Sequence, residues 1–176
     1  MSETQIPLPE RIRPRDLSEI IGQDHLLGEQ APLRQMIDQG HLPSVIFWGP
    51  PGVGKTTIAL LLAQAVDRPF ISLSALNTGV KELREIIAES GDLIVPVVFI
   101  DEIHRFNKSQ QDALLSAVEK GKITLIGATT ENPSFEVNNA LLSRCQVYTL
   151  RALTEEDISN LIRRALQQDK FLQDRY

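Results

Sequence analysis

Cysteine occurs once in the chain, at Cys145, so no internal disulfide is available, and no Cys/His grouping has the spacing of a zinc site. A lone thiol fits a reducing compartment. No apolar run reaches the roughly 20 residues of a membrane helix, and Met1 to Glu10 is polar and proline-containing, unlike the charged head and apolar stretch of a secretory leader. These absences lead to the expectation of a cytoplasmic protein with no membrane partner. Positive charge is also in deficit: 18 Lys and Arg stand against 23 Asp and Glu, a formal net charge of −5. No overall positive field is present to hold a polyanion, and any contact with nucleic acid has to come from a local patch. There is no internal repeat.

What is present is the balance of one globular domain: 176 residues, 42% hydrophobic and 23% charged. Residues 1–16 hold Pro7, Pro9 and Pro14 among Arg11, Arg13 and Arg15, a composition that predicts an extended arm rather than a helix. From residue 17 to 40 helical spacing is clearest around Leu33, Met36 and Ile37, with Gly40 as a stop, which predicts a helix near 31–39. The period then changes. Short apolar runs at Ser44–Trp48, Phe70–Leu73, Leu93–Ile100, Ile123–Ala128 and Gln146–Leu150 read as buried strands. Helical stretches are expected at 57–66, 79–89 and 108–119, the last with Ala113, Leu114, Ala117 and Val118 on one face.

Strands alternating with amphipathic helices imply right-handed crossovers and a parallel sheet covered on both faces. The expected fold is α/β, with a parallel five-stranded sheet sandwiched by helices over residues 17–150. After Leu150 the run Thr154-Glu155-Glu156-Asp157 has a capping-box pattern, and Ile158, Leu161, Ile162 and Leu166 follow at helical spacing. Residues 151–176 are thus expected to begin a second, helical subdomain.

Gly49-Pro50-Pro51-Gly52-Val53-Gly54-Lys55-Thr56 matches G-x-x-x-x-G-K-[ST] in full and lies between an expected strand and an expected helix. Gly52 and Gly54 let the backbone bend so that N–H groups meet phosphate oxygens, with the positive end of the helix behind them. Lys55 is placed to reach the β- and γ-phosphates of ATP, and the Thr56 hydroxyl to ligate Mg²⁺. Thr57 continues the loop into the helix. The run Val97-Val98-Phe99-Ile100 delivers Asp101 and Glu102 at the carboxyl end of a strand, where ligands bind in parallel α/β sheets. Asp101 there suits a magnesium-holding acid and Glu102 a general base for water. Thr129, Thr130 and Asn132 follow another strand and should emerge at the same edge. One of them is a candidate to hydrogen-bond the γ-phosphate or the water, the alternative being turn residues ahead of Pro133. Composition assigns nothing to Arg144 beyond a surface arginine.

Together these motifs resemble the AAA+ superfamily and its clamp-loader branch. Ile20-Ile21-Gly22-Gln23-Asp24-His25 is similar to the segment that packs on adenine, and Ser143-Arg144-Cys145 to the tripeptide that marks the clamp-loader clade. The fuller spelling from Asp101 to Asp112, and from Gly127 to Glu136, is similar to the bacterial replication-associated recombination protein A family and its relatives, the Werner-helicase-interacting ATPases. The resemblance runs from about Arg13 to the end of the chain. It implies an ATPase at stalled replication forks in the bacterial cytoplasm or nucleoid, binding single-stranded, forked or junction DNA. It also implies a homo-oligomer that completes the active sites, with replication proteins as possible partners. Ile20, Ile21 and Gly22 become nucleotide-binding residues, Arg144 an arginine finger acting in trans, Thr130 the sensor and Asn132 the second choice.

Family members continue into a full lid and a C-terminal oligomerisation region, so this chain by itself is expected to hydrolyse ATP weakly. A switch-like clamp-loader subunit that binds nucleotide without turnover is the alternative. A branch-migration motor also carries a Gly-Ala-Thr-Thr stretch, but Ser143-Arg144-Cys145 favours the clamp-loader side. Lys81, Arg84 and Lys108 are the local basic candidates for DNA, the alternative being a scattered, solvated charged face.

Overall fold

The computed structural model describes residues 6–90 and 93–174. Five parallel strands, β1 (Val45–Trp48), β2 (Phe70–Ser74), β3 (Val97–Asp101), β4 (Thr124–Thr129) and β5 (Gln146–Thr149), form one sheet in the order β2-β3-β4-β1-β5. The helices are α1 (Leu8–Arg11), α2 (Asp24–Leu27), α3 (Pro32–Asp38), α4 (Lys55–Ala65), α5 (Val80–Glu89), α6 (Lys108–Glu119), α7 (Pro133–Glu136), α8 (Asn139–Leu142), α9 (Glu155–Gln168) and α10 (Lys170–Gln173). The expected α/β sandwich with five parallel strands is the observed architecture.

Within the continuous apolar strands, alternate side chains enter opposite cores, the period-2 consequence of the pleat. Val45, Phe47, Val97, Phe99 and Ile126 pack with Leu33, Ile37, Ile58 and Leu62 of α3 and α4. Ile46, Val98, Ile100 and Leu125 pack with Leu83, Leu114, Ala117 and Leu141 of α5, α6 and α8. Each fully buried side chain of this size contributes about 1.5–3 kcal/mol relative to exposure.

Three expectations are corrected. The strand expected to be buried at Gln146–Leu150 is the edge strand β5, with Gln146, Val147 and Thr149 exposed, because only β1 pairs with it. The strand expected at Leu93–Ile100 begins only at Val97, with Leu93 99% and Ile94 59% exposed. Pro96 has no N–H to give to the ladder, and its carbonyl accepts from Thr124 N at 3.0 Å just before the paired residues begin. Residues 91 and 92 lie outside the described residues. The arm expected to be extended over 1–16 contains the helical turn α1, with Pro7 at its N-cap and a proline in its first turn. Proline is tolerated there because those N–H groups have no helical partner to lose. Residues 1–5 lie outside the described residues.

The turn is tied down from afar. Arg11 Nε donates to Asp169 Oδ2 at 2.6 Å, and its guanidinium stands 5.9 Å from the Phe171 ring centroid. Arg164 in α9 donates to the Glu19 carbonyl at 2.5 Å and to Glu19 Oε2 at 3.0 Å. Helix α9 opens with the expected capping box, Thr154 and Asp157 each accepting from the other's backbone N–H. Its apolar residues Ile158, Ile162 and Leu166 are 47%, 56% and 41% exposed, an i, i+4, i+8 stripe left open on the surface.

Candidate nucleotide-binding site

Strand order decides what meets at the carboxyl edge. Strand β4 lies between β1 and β3, so the loop after β1, the acids after β3 and the threonines after β4 converge there. Gly49 N donates to Thr129 O at 3.1 Å, which ties the start of the P-loop to the end of β4. A Cβ on Gly49 would stand 2.8 Å from Leu150 O, so this glycine permits close approach to the chain leaving β5.

Gly52 and Gly54 have φ of +76° and +96°, and Gly54 is the left-handed N-cap of α4. Only glycine takes such angles without strain. The resulting turn aims the loop and the first N–H groups of α4 outward, a ready anion cradle. Val53 is buried and anchors the loop, while Pro50, Pro51 and Thr56 are exposed and Thr57 is half-buried. Lys55 Nζ donates to the carbonyls of Gly49 at 2.6 Å and Pro50 at 2.9 Å. Desolvation lowers its pKa, and the nearby Asp101 charge works against that fall.

Asp101 ends β3 opposite Ser74, and its Oδ1 accepts from Glu102 N at 3.0 Å. Glu102 has φ of +53°, a left-handed conformation costly for a residue with a side chain and characteristic of functional positions. Its carboxylate is paired with Arg105 Nε at 3.2 Å. Thr129 is 1% exposed, its hydroxyl 2.9 Å from His104 Nδ1 and 3.0 Å from Glu131 N, which donates to it. Thr130 is exposed immediately beyond β4, and Asn132 uses its Oδ1 to cap α7 through Ser134 N at 3.0 Å. The Thr129–His104 contact was not foreseen, because nothing in the sequence spacing pairs residue 104 with 129.

The segment Ile20-Ile21-Gly22 sits where the sheet meets α9. Ile20 packs on the α3–α4 core, and a Cβ on Gly22 (φ +85°) would meet Leu153 at 2.6 Å and Asp157 at 3.1 Å. Gln23, 1% exposed, exchanges two hydrogen bonds with the Arg151 backbone, at 2.8 and 3.0 Å. A lone glutamine in a polar stretch gave no sign of this bridge.

Arg144 stands apart from the cluster. It precedes β5, whose first residue Gln146 is in register with Val45 at the start of β1, whereas the P-loop follows Trp48 at the other end. The four residues of β1 separate the two edges by about 10 Å of strand. Arg144 Nη2 lies 3.1 Å from Glu119 Oε1 at the end of α6. The neighbouring Cys145 is partly buried against the second core, and desolvation pushes its thiol up to about 12.

Of the basic candidates, Lys81 is exposed at the start of α5, 3.9 Å from Glu85, and Lys108 opens α6. Arg84 lines a cavity of about 470 Å³ between α5 and α6 together with Lys120 and Lys122, two residues the sequence reading had not included.

A P-loop between β1 and α4, acids at the end of β3 and a polar β4 terminus between them are the arrangement of the AAA class of P-loop NTPase folds. The chain belongs to the AAA family, the ATPase family associated with various cellular activities, whose model matches residues 45–153. It is 53% identical over 167 residues to the replication-associated recombination protein A of Coxiella burnetii, and 50% identical over 165 residues to that of Escherichia coli K12. These matches cover 94% and 92% of this chain but only 38% and 37% of the relatives. The ATPase WRNIP1 of Dictyostelium discoideum is 47% identical, with 96% of this chain and 20% of that protein covered. Among solved structures, the RuvB Holliday junction branch migration motor of Thermotoga maritima superposes with a TM-score of 0.77 at 31% identity, over 89% of this chain and 54% of that one. The expected resemblance to replication-associated recombination protein A is thereby found, with the branch-migration motor sharing the fold at lower identity.

Proposed function

We propose that this chain binds Mg-ATP and hydrolyses it as one member of a homo-oligomer acting on DNA at stalled replication forks. The observation that carries the proposal is the edge built from Gly52, Gly54 and Lys55 on one side of β4 and from Asp101 and Glu102 on the other. The backbone of Gly49–Gly54 and the N-terminus of α4 hold phosphates, with Ile20, Ile21 and Gly22 beside the base. Lys55 leaves its carbonyl partners for the β- and γ-phosphates. Among the described residues no cluster of three or more His, Cys, Asp or Glu could hold a metal alone. Thr56 and Asp101 would hold Mg²⁺, since hard oxygen donors suit that ion. Bound there, the ion neutralises charge on the phosphates.

Glu102 takes the proton of the attacking water. Thr130, with Asn132 as the second candidate, orients the water or the γ-phosphate. Arg144, at the opposite edge of the sheet from its own P-loop, serves the site of a neighbouring copy and supplies positive charge to the transition state. DNA is held through α5 and α6 by Lys81, Arg84 and Lys108. The chain from residue 151 onward begins the helical lid. Replication proteins are the further partners this reading calls for.

A second reading, a nucleotide-binding switch without turnover, is favoured by one observation: the Glu102 carboxylate is engaged by Arg105 rather than free to face a water. Steady-state ATP hydrolysis by the full-length protein, with and without forked DNA, separates the two. Turnover stimulated by DNA and abolished by Lys55→Ala is the expected result. Tight nucleotide binding with no turnover under either condition selects the switch.

A further inference from the structure

Arg144 has a partner of its own that the family motif does not contain. Its Nη2 lies 3.1 Å from Glu119 Oε1, with both side chains about half exposed. The two residues come from different elements. Glu119 is the last residue of α6, and Arg144 follows α8, where its backbone N–H donates to the Leu141 carbonyl at 3.1 Å.

The backbone on both sides of this contact is fixed. Helix α6 starts from a capping box between Asn107 and Gln110 and buries Leu114 and Ala117. Leu141 of α8 is fully buried in the same core. The pair therefore joins two anchored backbones and constrains mainly the arginine side chain. An unsupported arginine loses several rotatable bonds of freedom whenever it must present its head in one place. A planar guanidinium gripped at Nη2 still offers its remaining N–H groups to a second anion.

We infer that Glu119 is a positioning residue for Arg144, holding one edge of the guanidinium so that the other edge is presented to the phosphates bound by a neighbouring copy. This rests on the reading of Arg144 as a finger acting in trans. The effect of Glu119 passes through Arg144 and is exerted on the neighbour's site, not on its own.

The location of the defect makes the inference testable. In the full-length protein Glu119→Ala should lower kcat about three- to fivefold, the range an exposed ion pair allows, and leave binding of a fluorescent ATP analogue unchanged. Glu119→Gln, which keeps an acceptor oxygen, should recover part of the loss. Glu119→Ala in an Arg144→Ala background should add nothing. With Lys55→Ala subunits in excess, turnover per intact P-loop of the Glu119→Ala subunits should return toward the parent rate, because the Lys55→Ala subunits donate a supported finger.

A kcat unchanged or raised by Glu119→Ala overturns the inference, as does a loss that persists in the mixture or adds to that of Arg144→Ala. If Arg144→Ala itself has full activity, the finger reading fails first. If Arg144→Ala is inactive while Glu119→Ala is normal, only the role of Glu119 fails.

Discussion

Gly127 stands in the middle of β4, where any side chain would collide with its neighbours. A Cβ there would lie 2.6 Å from Ile46 Cδ1 and 2.9 Å from Ile103 Cδ1, both fully buried. Ile103 directly follows Glu102, so the missing side chain lets the turn bearing the proposed base lie flat on the sheet. Gly127→Ala should therefore destabilise the domain by about 1–3 kcal/mol, the usual cost of overpacking. Urea denaturation followed by the fluorescence of the sole tryptophan, Trp48, reads this directly. An unchanged midpoint would mean that the two isoleucines rotate aside freely.

At this scale the sequence was legible where chemistry fixes spacing. The place of the Gly49–Thr56 loop between β1 and α4, and of Asp101 and Glu102 at the end of β3, could be read because the motif ties residue type and order to a strand, a turn and a helix. Partners distant in sequence could not. The buried Gln23 on Arg151, Thr129 on His104 and Glu119 on Arg144 are products of tertiary packing, and no local pattern announces them.

Helices α1, α9 and α10 are held at the edge of the domain by charge. The Arg11 guanidinium, through its hydrogen bond above all, keeps the Asp169 carboxyl below its ordinary pKa range, and the Leu172 N–H adds to this. A carboxylate whose folded pKa is depressed gives stability that is present above its unfolded value, about 4, and is lost as pH falls through the folded value. Asp169→Asn should thus weaken protection of the backbone amides in α1 and α10 at neutral pH, and the difference from the parent should shrink in acid below about pH 4. Hydrogen exchange measured across that range checks it. A difference that persists unchanged in acid would assign the effect to packing of Phe171 instead.

Elements were readable where apolar periodicity coincides with a cap or a turn. Residues 108–119 form α6 at the expected bounds because Asn107 and Gln110 close its first turn. The overlong strand reading at Leu93–Ile100 shows the limit. Apolarity marks what can be buried, while Pro96 and the register with Phe70 decide where pairing starts. The turn α1 shows the same for proline, which breaks a helix interior but not its first residues.

The whole chain carries a net charge of −5, so the proposed affinity for DNA would depend on where its cations stand. Lys81 and Arg84 share α5, and Arg84 faces Lys120 and Lys122 across the groove to α6. Lys81→Ala with Arg84→Ala should weaken single-strand binding by the full-length protein and flatten its dependence on salt, since fewer phosphates are neutralised. Unchanged binding across salt would move the DNA to another face.

The parallel sheet also places Arg144 and the P-loop at opposite edges, and the proposed site shared between two copies rests on that separation. Mixing Lys55→Ala with Arg144→Ala tests that claim most directly. Each variant alone should hydrolyse ATP at least about a hundredfold more slowly than the parent, the loss expected of a finger or a P-loop lysine. The mixture should regain a substantial fraction of the parent rate, because Lys55→Ala subunits bring intact fingers to the intact P-loops of their neighbours. A mixture as inactive as its components would contradict the shared site, as would full activity of Arg144→Ala alone.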